Sequence, residues 1–375
     1  MPSPAGRTYI PALDGMRALA FLLVFVAHSF PYRDLPGGFG VTVFFFLSGY
    51  LITTLLRVEA SQTSAISLRQ FYLRRILRIF PPCYVTVIVV CTLARLGLIY
   101  NTESYGSLVA AFLYFSNYWN ILGWGNLPAG LGVLWSLALE EHYYLLYPLL
   151  YAWFVRKSLS RSRQAFILGG LCFAVLVWRI IRAAVFHSPW ANIYEGTDTR
   201  FDAILFGCLL AILFNPRLGD SVDWLTRHAR PLALAGMALL LLTFAWRNPF
   251  FRDTFRYTLQ SLALAPIFFY VTANHSSRVS RLLALGPMRW VGQLSYSLYL
   301  IHHALFHHFY HYHRPSLAVA VIVLILSIAY AQTMRWVVEL PLQKARARLR
   351  WTETEKGLDH RTMHVGADAA KGAAA

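Results

Sequence analysis

The sequence predicts an all-α, polytopic membrane protein: a helix bundle of about ten transmembrane helices with the N- and C-termini cytoplasmic. Three observations lead there. Hydrophobic residues make up 57% of the 375 and charged residues only 14%, against about 25% charged in an ordinary soluble domain. No soluble core of this length hides so much apolar side chain, so the surplus faces lipid. The apolar residues collect into ten runs near the roughly 20 residues that a helix needs to cross the hydrocarbon, and the basic residues gather on alternate connections.

In chain order the runs fall at about 10–30, 39–56, 79–100, 131–154, 165–186, 201–214, 231–246, 258–273, 291–311 and 316–338. The run from Phe201 to Phe214 is short, and needs extra residues at its outer end or a locally thinned bilayer. Gly106 to Leu122 is also apolar, but Ser116, Asn117, Tyr118, Trp119 and Asn120 interrupt it. Aromatic and amide side chains suit the headgroup depth, so this stretch is predicted to be interfacial or re-entrant. With that arrangement 23 of the 34 lysines and arginines lie on cytoplasmic segments and 6 on external ones. An eleventh span at 106–122 would invert everything downstream.

The formal charge of +17 is then cytoplasmic loop charge and calls for no nucleic acid. Cys83, Cys91, Cys172 and Cys208 sit inside apolar runs without C-x-x-C spacing, which points to small core residues rather than a zinc site or disulfides. Met1 to Ala12 lacks a signal-peptide pattern, so the first span itself starts translocation. Residues 1–9 read as a cytoplasmic N-terminus, 10–341 as one membrane domain, and 342–375 as a basic, then disordered, cytoplasmic tail with nothing to bury. No feature fixes an oligomeric state.

Ionisable residues inside spans are costly and mark candidate sites. In the first run Arg17 and His28 are eleven positions apart, which brings them to within about 20° of one helical face and roughly 16 Å along its axis. Asp14 lies one turn below Arg17 and is placed to pair with it. Snorkelling of Arg17 and an interfacial His28 would account for position alone. The fourth run, however, reads Trp135-Ser136-Leu137-Ala138-Leu139-Glu140-Glu141-His142, two carboxylates in an apolar helix with no basic residue of its own. Their partner must come from another helix, and a carboxylate orienting an imidazole is the usual general-base pairing. The catalytic reading therefore expects Arg17 and His28 to face the interior, with Glu140 or Glu141 against the imidazole.

The second cytoplasmic loop carries Arg74, Arg75 and Arg78, the last two on one face at i, i+3. Arginine grips phosphate with a planar fork, so these residues suit lipid headgroups or a nucleotide-like co-substrate. The glycines at 37, 38, 40 and 49, with Ser48, suit close helix packing. They lack the lysine and spacing of a phosphate-binding P-loop. His303, His307 and His311 are spaced i, i+4, yet no motif supports a metal, and no metal site is expected.

Together these segments resemble the acyltransferase-3 family of integral-membrane acyltransferases, from about Ile10 to Pro341. The resemblance rests on Leu13-Asp14-Gly15-Met16-Arg17 with His28 following, Val43 to Thr53, Phe71 to Arg78 and Trp135 to Glu141. It extends to Arg200-Phe201-Asp202, Ser295-Tyr296-Ser297-Leu298-Tyr299-Leu300-Ile301-His302 and Glu339-Leu340-Pro341. It implies transfer of an acyl group, usually acetyl, from acyl-CoA (acetyl-CoA) as co-substrate, with no permanently bound cofactor. The acceptor is a hydroxyl on a carbohydrate or other small molecule, an envelope polysaccharide or a secondary metabolite.

It also implies catalytic roles for His28, Arg17, Glu140 and Glu141. Donor or substrate contacts are implied for Arg75, Arg78 and Arg74, with Ser48, Trp135, Ser136 and His302. The chain departs from the family pattern at Thr42, Val133 and His142, positions that bear on acceptor contacts. It also ends without the long soluble C-terminal domain of some relatives, so transfer is expected to go directly to the final acceptor. The alternative is a proton-coupled transporter that uses the buried Arg, Glu and His as a relay. It would favour internal repeats, and none is visible.

Overall fold

The computed structural model describes residues 9–220 and 223–346. Among them there is no strand, and each predicted run falls on one helix. The helices are α1 (Pro11–Ser29), α2 (Gly37–Thr63), α3 (Leu68–Arg95), α4 (Leu134–Arg156), α5 (Arg161–Ala184), α6 (Thr197–Leu213), α7 (Ala229–Ala245), α8 (Phe255–Ala273), α9 (Gly286–Tyr312) and α10 (Leu317–Met334). By length and composition α1, α2, α3, α5 and α10 with its extension are apolar enough to cross a bilayer. This is a multi-pass membrane protein. α6 and α7 have only 17 residues each, about 26 Å at 1.5 Å per residue.

One boundary differs from the sequence reading. Beyond α10 the chain passes through a π-helical turn, Arg335–Glu339, and stays helical to Arg346. The expected tail therefore begins as helix. Positions 1–8 and 347–375, the remainder of the two predicted terminal segments, lie outside the described residues. The stretch at 106–122 folds as two short helices, Leu108–Phe112 and Ser116–Ile121, each far too short to cross the hydrocarbon.

End-to-end pairings fix the helix directions. Thr42 meets Arg200 near the start of α2 and α6, while Arg57 reaches the Ile212 carbonyl near their other ends, so these two helices run parallel. α1 and α9 are parallel as well: Asp14 lies against Gly292, and His28 against His302. α4 runs opposite to α3, with Tyr72 donating to the Leu145 carbonyl. Glycine sets the closest of these approaches. A Cβ on Gly292 would lie 1.9 Å from the Asp14 carbonyl oxygen, and one on Gly207 would lie 2.1 Å from that of Phe46. Small residues that let backbones touch are the usual means of packing helices in lipid.

One charged pair is locked wholly inside. Arg179 and Asp202 are both 0% exposed and 2.6 Å apart. Arg179 also donates to the Thr199 and Thr254 carbonyls and to Thr258, which in turn donates to Asp202. The pair ties α5, α6 and α8 together at the end of the bundle away from Asp14. A buried guanidinium left without its anion costs about 3–5 kcal/mol. Asp202→Ala is therefore expected to lower the thermal stability of the detergent-solubilised protein by that order. Joint replacement Arg179→Met with Asp202→Leu should cost markedly less, as read by unfolding temperature.

Candidate functional site

α1 carries Arg17 and His28 to two different neighbourhoods. At the Arg17 end, α1, α3 and α4 bring three guanidiniums and two carboxylates together. Arg17 and Arg75 lie within electrostatic reach of Arg78, and Glu140 has Arg75, Arg17 and Arg78 as its charged neighbours. Arg17, Arg75 and Arg78 form no ion pair among the described residues. Arg78 is exposed, and Arg75 lays its guanidinium 3.5 Å from the centre of the Tyr144 ring with its Nε unpartnered. Such a face contact is a cation–π interaction.

The Tyr144 hydroxyl donates to Ser48, at 3.0 Å, and Ser48 donates to Glu140, at 2.6 Å. Glu140 and Tyr144 share a face of α4 at i, i+4, so one helix face presents both ends of this chain. Glu141, with Arg75 as its basic neighbour, has one buried oxygen without a partner. The result is a polar chamber with an excess of positive charge and uncommitted donors, a composition that suits a phosphate-bearing ligand.

At the His28 end the partners are histidines and carbonyls. His28 Nδ1 lies 2.9 Å from His302 Nε2. His302, 0% exposed, donates from Nδ1 to the Tyr299 carbonyl at 2.8 Å. His303 donates from Nδ1 to the Gly130 carbonyl, and its ring meets that of His28 edge-on. The Tyr310 hydroxyl donates to the carbonyls of His28 and Ser29, closing the end of α1. His28 opens onto a cavity of about 350 Å3 whose walls include Tyr100, His303, His307, Tyr310 and His311.

The same stretch of α9 also bonds α3, α4 and the turn after α10. The Tyr296 hydroxyl donates to the Ile79 carbonyl of α3, Ser297 donates to Glu339, and Tyr299 bonds Ser136 at 2.8 Å.

Several expectations are corrected. Neither Glu140 nor Glu141 hydrogen-bonds His28, whose ring partner is His302. The carboxylates belong instead to the arginine chamber, because opposite charges in a low dielectric attract one another more strongly than a neutral ring attracts either. Asp14 does not pair with Arg17; it accepts from Tyr9 and Gln293. Arg74 is held by Glu59 and Gln70, away from the Arg75–Arg78 face. Trp135 packs edge-on against Phe45 and beside Tyr194, and Ser136 serves Tyr299. His302, expected as a donor or substrate contact, lies in the histidine cluster beside His28. His303 and His311 are occupied by the Gly130 carbonyl and by stacking on Tyr100. No three His, Cys, Asp or Glu side chains converge as a metal set among the described residues.

Sequence reasoning missed Tyr144, whose i+4 spacing from Glu140 was the available signal. It also missed the 0%-exposed Arg200, caged by Tyr257 and Tyr194 with one hydrogen bond to Thr42. All four cysteines are free and buried.

Comparison with known proteins adds an independent line. The profile of the acyltransferase-3 family, described as an acyltransferase domain, matches residues 10–336. The peptidoglycan O-acetyltransferase OatA of Listeria monocytogenes is 33% identical over 315 residues, 80% of this chain and 50% of that protein. A putative peptidoglycan O-acetyltransferase of Bacillus subtilis, YrhL, is 32% identical over 319 residues, 79% of this chain and 48% of its own. The O-acetyltransferase OatA of Staphylococcus aureus is 31% identical over 315 residues, 79% of this chain and 50% of that protein. The chain thus spans about half the length of the curated relatives it matches. No solved structure matches it.

The Tyr144–Ser48–Glu140 chain carries its own test. Ser48→Ala removes the only hydrogen-bond donor to Glu140 among the described residues and leaves the Tyr144 hydroxyl without its acceptor. It is expected to lower stability by about 1–3 kcal/mol. Tyr144→Phe, which removes one donor and strands nothing charged, should cost about 1 kcal/mol. Thermal unfolding of the purified variants compares the two.

Proposed function

The chain belongs to the acyltransferase-3 family, and on that premise we propose that it is an O-acyltransferase moving an acetyl group from acetyl-CoA to a carbohydrate hydroxyl. The observation that carries the reading is the division of labour along α1. Arg17 stands in a cationic chamber at one end, and His28 stands at a cavity about three turns away. The positive-inside pattern orients the bundle with the arginine chamber toward the cytoplasm, where acyl-CoA is found, and the histidine cavity toward the outer face.

In this reading ten helices cross the membrane and both termini are cytoplasmic. Arg75 and Arg78, with Arg17, hold the phosphates of the donor, and its long arm carries the thioester along the bundle toward His28. Glu140 and Glu141 balance the arginines while no donor is bound. The acceptor hydroxyl enters the histidine-lined cavity. Its oxygen attacks the thioester carbonyl as His28 takes its proton, and the collapsing tetrahedral intermediate expels the coenzyme A thiolate, which is protonated by the imidazolium. The acceptor is an envelope glycan, peptidoglycan being the acceptor in the relatives' names. Rings such as Tyr100, Tyr310 and His311 offer flat faces for a sugar to stack on. A transporter gains no support, because the matched relatives are named for O-acetyl transfer.

His28→Ala is expected to reduce acetyl transfer by about 10²–10⁴-fold. The variant should keep its helical content and unfolding temperature. Release of coenzyme A by purified protein in detergent, with a glycan acceptor and no gradient, reads the reaction and separates transfer from transport. Near-normal release by the variant rejects the base assignment. Arg75→Gln and Arg78→Gln should each raise the KM for acetyl-CoA about tenfold or more while altering kcat less. An unchanged KM in both removes the arginines from the donor site.

A further inference from the structure

His302, through its hydrogen bonds, determines what His28 can do. Its Nδ1 faces only backbone oxygens, Tyr299 at 2.8 Å and Leu298 at 3.2 Å. A carbonyl oxygen accepts and never donates, so Nδ1 of His302 carries hydrogen. The ring is fully buried, its other neighbours include the rings of Phe21, Phe25, Phe306, Tyr299 and His303, and no carboxylate among the described residues bonds it. Burying an uncompensated charge there is costly, which leaves the ring neutral and Nε2 as a bare acceptor. The 2.9 Å contact from His28 Nδ1 must then be N–H donating to that lone pair. His28 can hold no second hydrogen while neutral, so its Nε2 is the unprotonated nitrogen. His303, the other imidazole at His28, is engaged through its own Nδ1 with Gly130.

We propose that His302 is a positioning residue that locks His28 in the Nδ1–H tautomer, so that Nε2 is the atom that takes the acceptor's proton. This rests on His28 being the base, the reading proposed above. The relay runs from the Tyr299 carbonyl through His302 to His28, and it contains no carboxylate. Which nitrogen of a histidine is protonated is set by the bond its other nitrogen makes, and a base held in the wrong tautomer loses its lone pair where it is needed. α9 supplies the lock because the Ser136–Tyr299 and Ser297–Glu339 bonds hold its turns in place on either side.

The test compares His302→Phe with His302→Gln. Phenylalanine keeps the ring volume among Phe21, Phe25 and Phe306 but offers His28 no acceptor. Glutamine offers an oxygen at a similar reach. The expected result is a kcat about 10–100-fold lower in His302→Phe, with the KM for acetyl-CoA unchanged, and recovery of most of that loss in His302→Gln. A purely structural role would follow shape and favour phenylalanine. Equal activity of the two variants, or the better activity in His302→Phe, overturns the proposal. Should either variant fail to fold, the wild-type protein decides. In ¹⁵N-histidine-labelled protein in nanodiscs, the His28 signals, assigned by their loss in His28→Asn, should show Nδ1 protonated and Nε2 bare. The opposite pattern overturns the lock. Unimpaired transfer by His28→Ala would remove the base while leaving this tautomer result standing, so the two ideas fail separately.

Discussion

The seam between α1 and α9 is the constraint from which the rest of the site follows. Gly292 presses its backbone against the Asp14 carbonyl, and Gly15 does the same against Leu283 of the short helix Arg278–Leu283 that leads into α9. A side chain at either glycine would push the helices apart. Because the two helices are also parallel, closeness at one end is carried toward the other, where His302 comes within hydrogen-bond distance of His28. Between the two contacts Phe21, Phe25, Leu294 and Leu298 fill the seam as part of one apolar cluster, which continues past His302 to Phe306. Van der Waals packing is the main force between helices in lipid, and here it places two imidazoles.

Much of this was legible from residue types and intervals. Ten apolar runs became ten helices because a helix satisfies its own backbone where the surroundings are apolar. The Arg17–His28 interval held because helical pitch is fixed, and the Arg75–Arg78 face met Arg17 because both project from the same end of the bundle. The pairing of the carboxylates was not legible. Glu140 and Glu141 lacked a basic partner in their own helix, which shows that a partner lies elsewhere but not which one. Arg75 and His28 were both chemically suitable, and only the stacking of α4 beside α2 and α3 chose the arginine. The role of Ser48 was hidden for a similar reason. A small residue in a glycine-rich run reads as packing, and its donation to Glu140 depends on a helix nearly a hundred residues away.

Charge is sorted along the bundle in a way that a single active-site cluster would not need. Carboxylates and guanidiniums share the chamber at the Arg17 end, where each reduces the cost of burying the other. The His28 end is built mainly of imidazoles, phenols and carbonyl oxygens, and its charged neighbour Glu103 lies by His307 at the cavity wall. A third polar cluster, Arg179 with Asp202, is closed off completely and ties helices together. Saturation distinguishes it from the arginine cluster: its donors are nearly all spent, whereas Arg75 and Glu141 keep unpartnered atoms and Arg78 stays exposed.

This sorting bears on how the proposed reaction finishes. A carboxylate beside His28 would hold the imidazolium as an ion pair once the proton had been taken, and would have to release it for the next step. Against His302 and backbone carbonyls the protonated ring has no anion to rest on. The group that can neutralise it is the thiolate leaving from the thioester, on the other side of the same intermediate. A neutral relay therefore favours prompt return of the proton to the leaving group. It also keeps the strongest anionic attractions of the site at the arginines, where a phosphate-bearing donor must be held while its far end reacts.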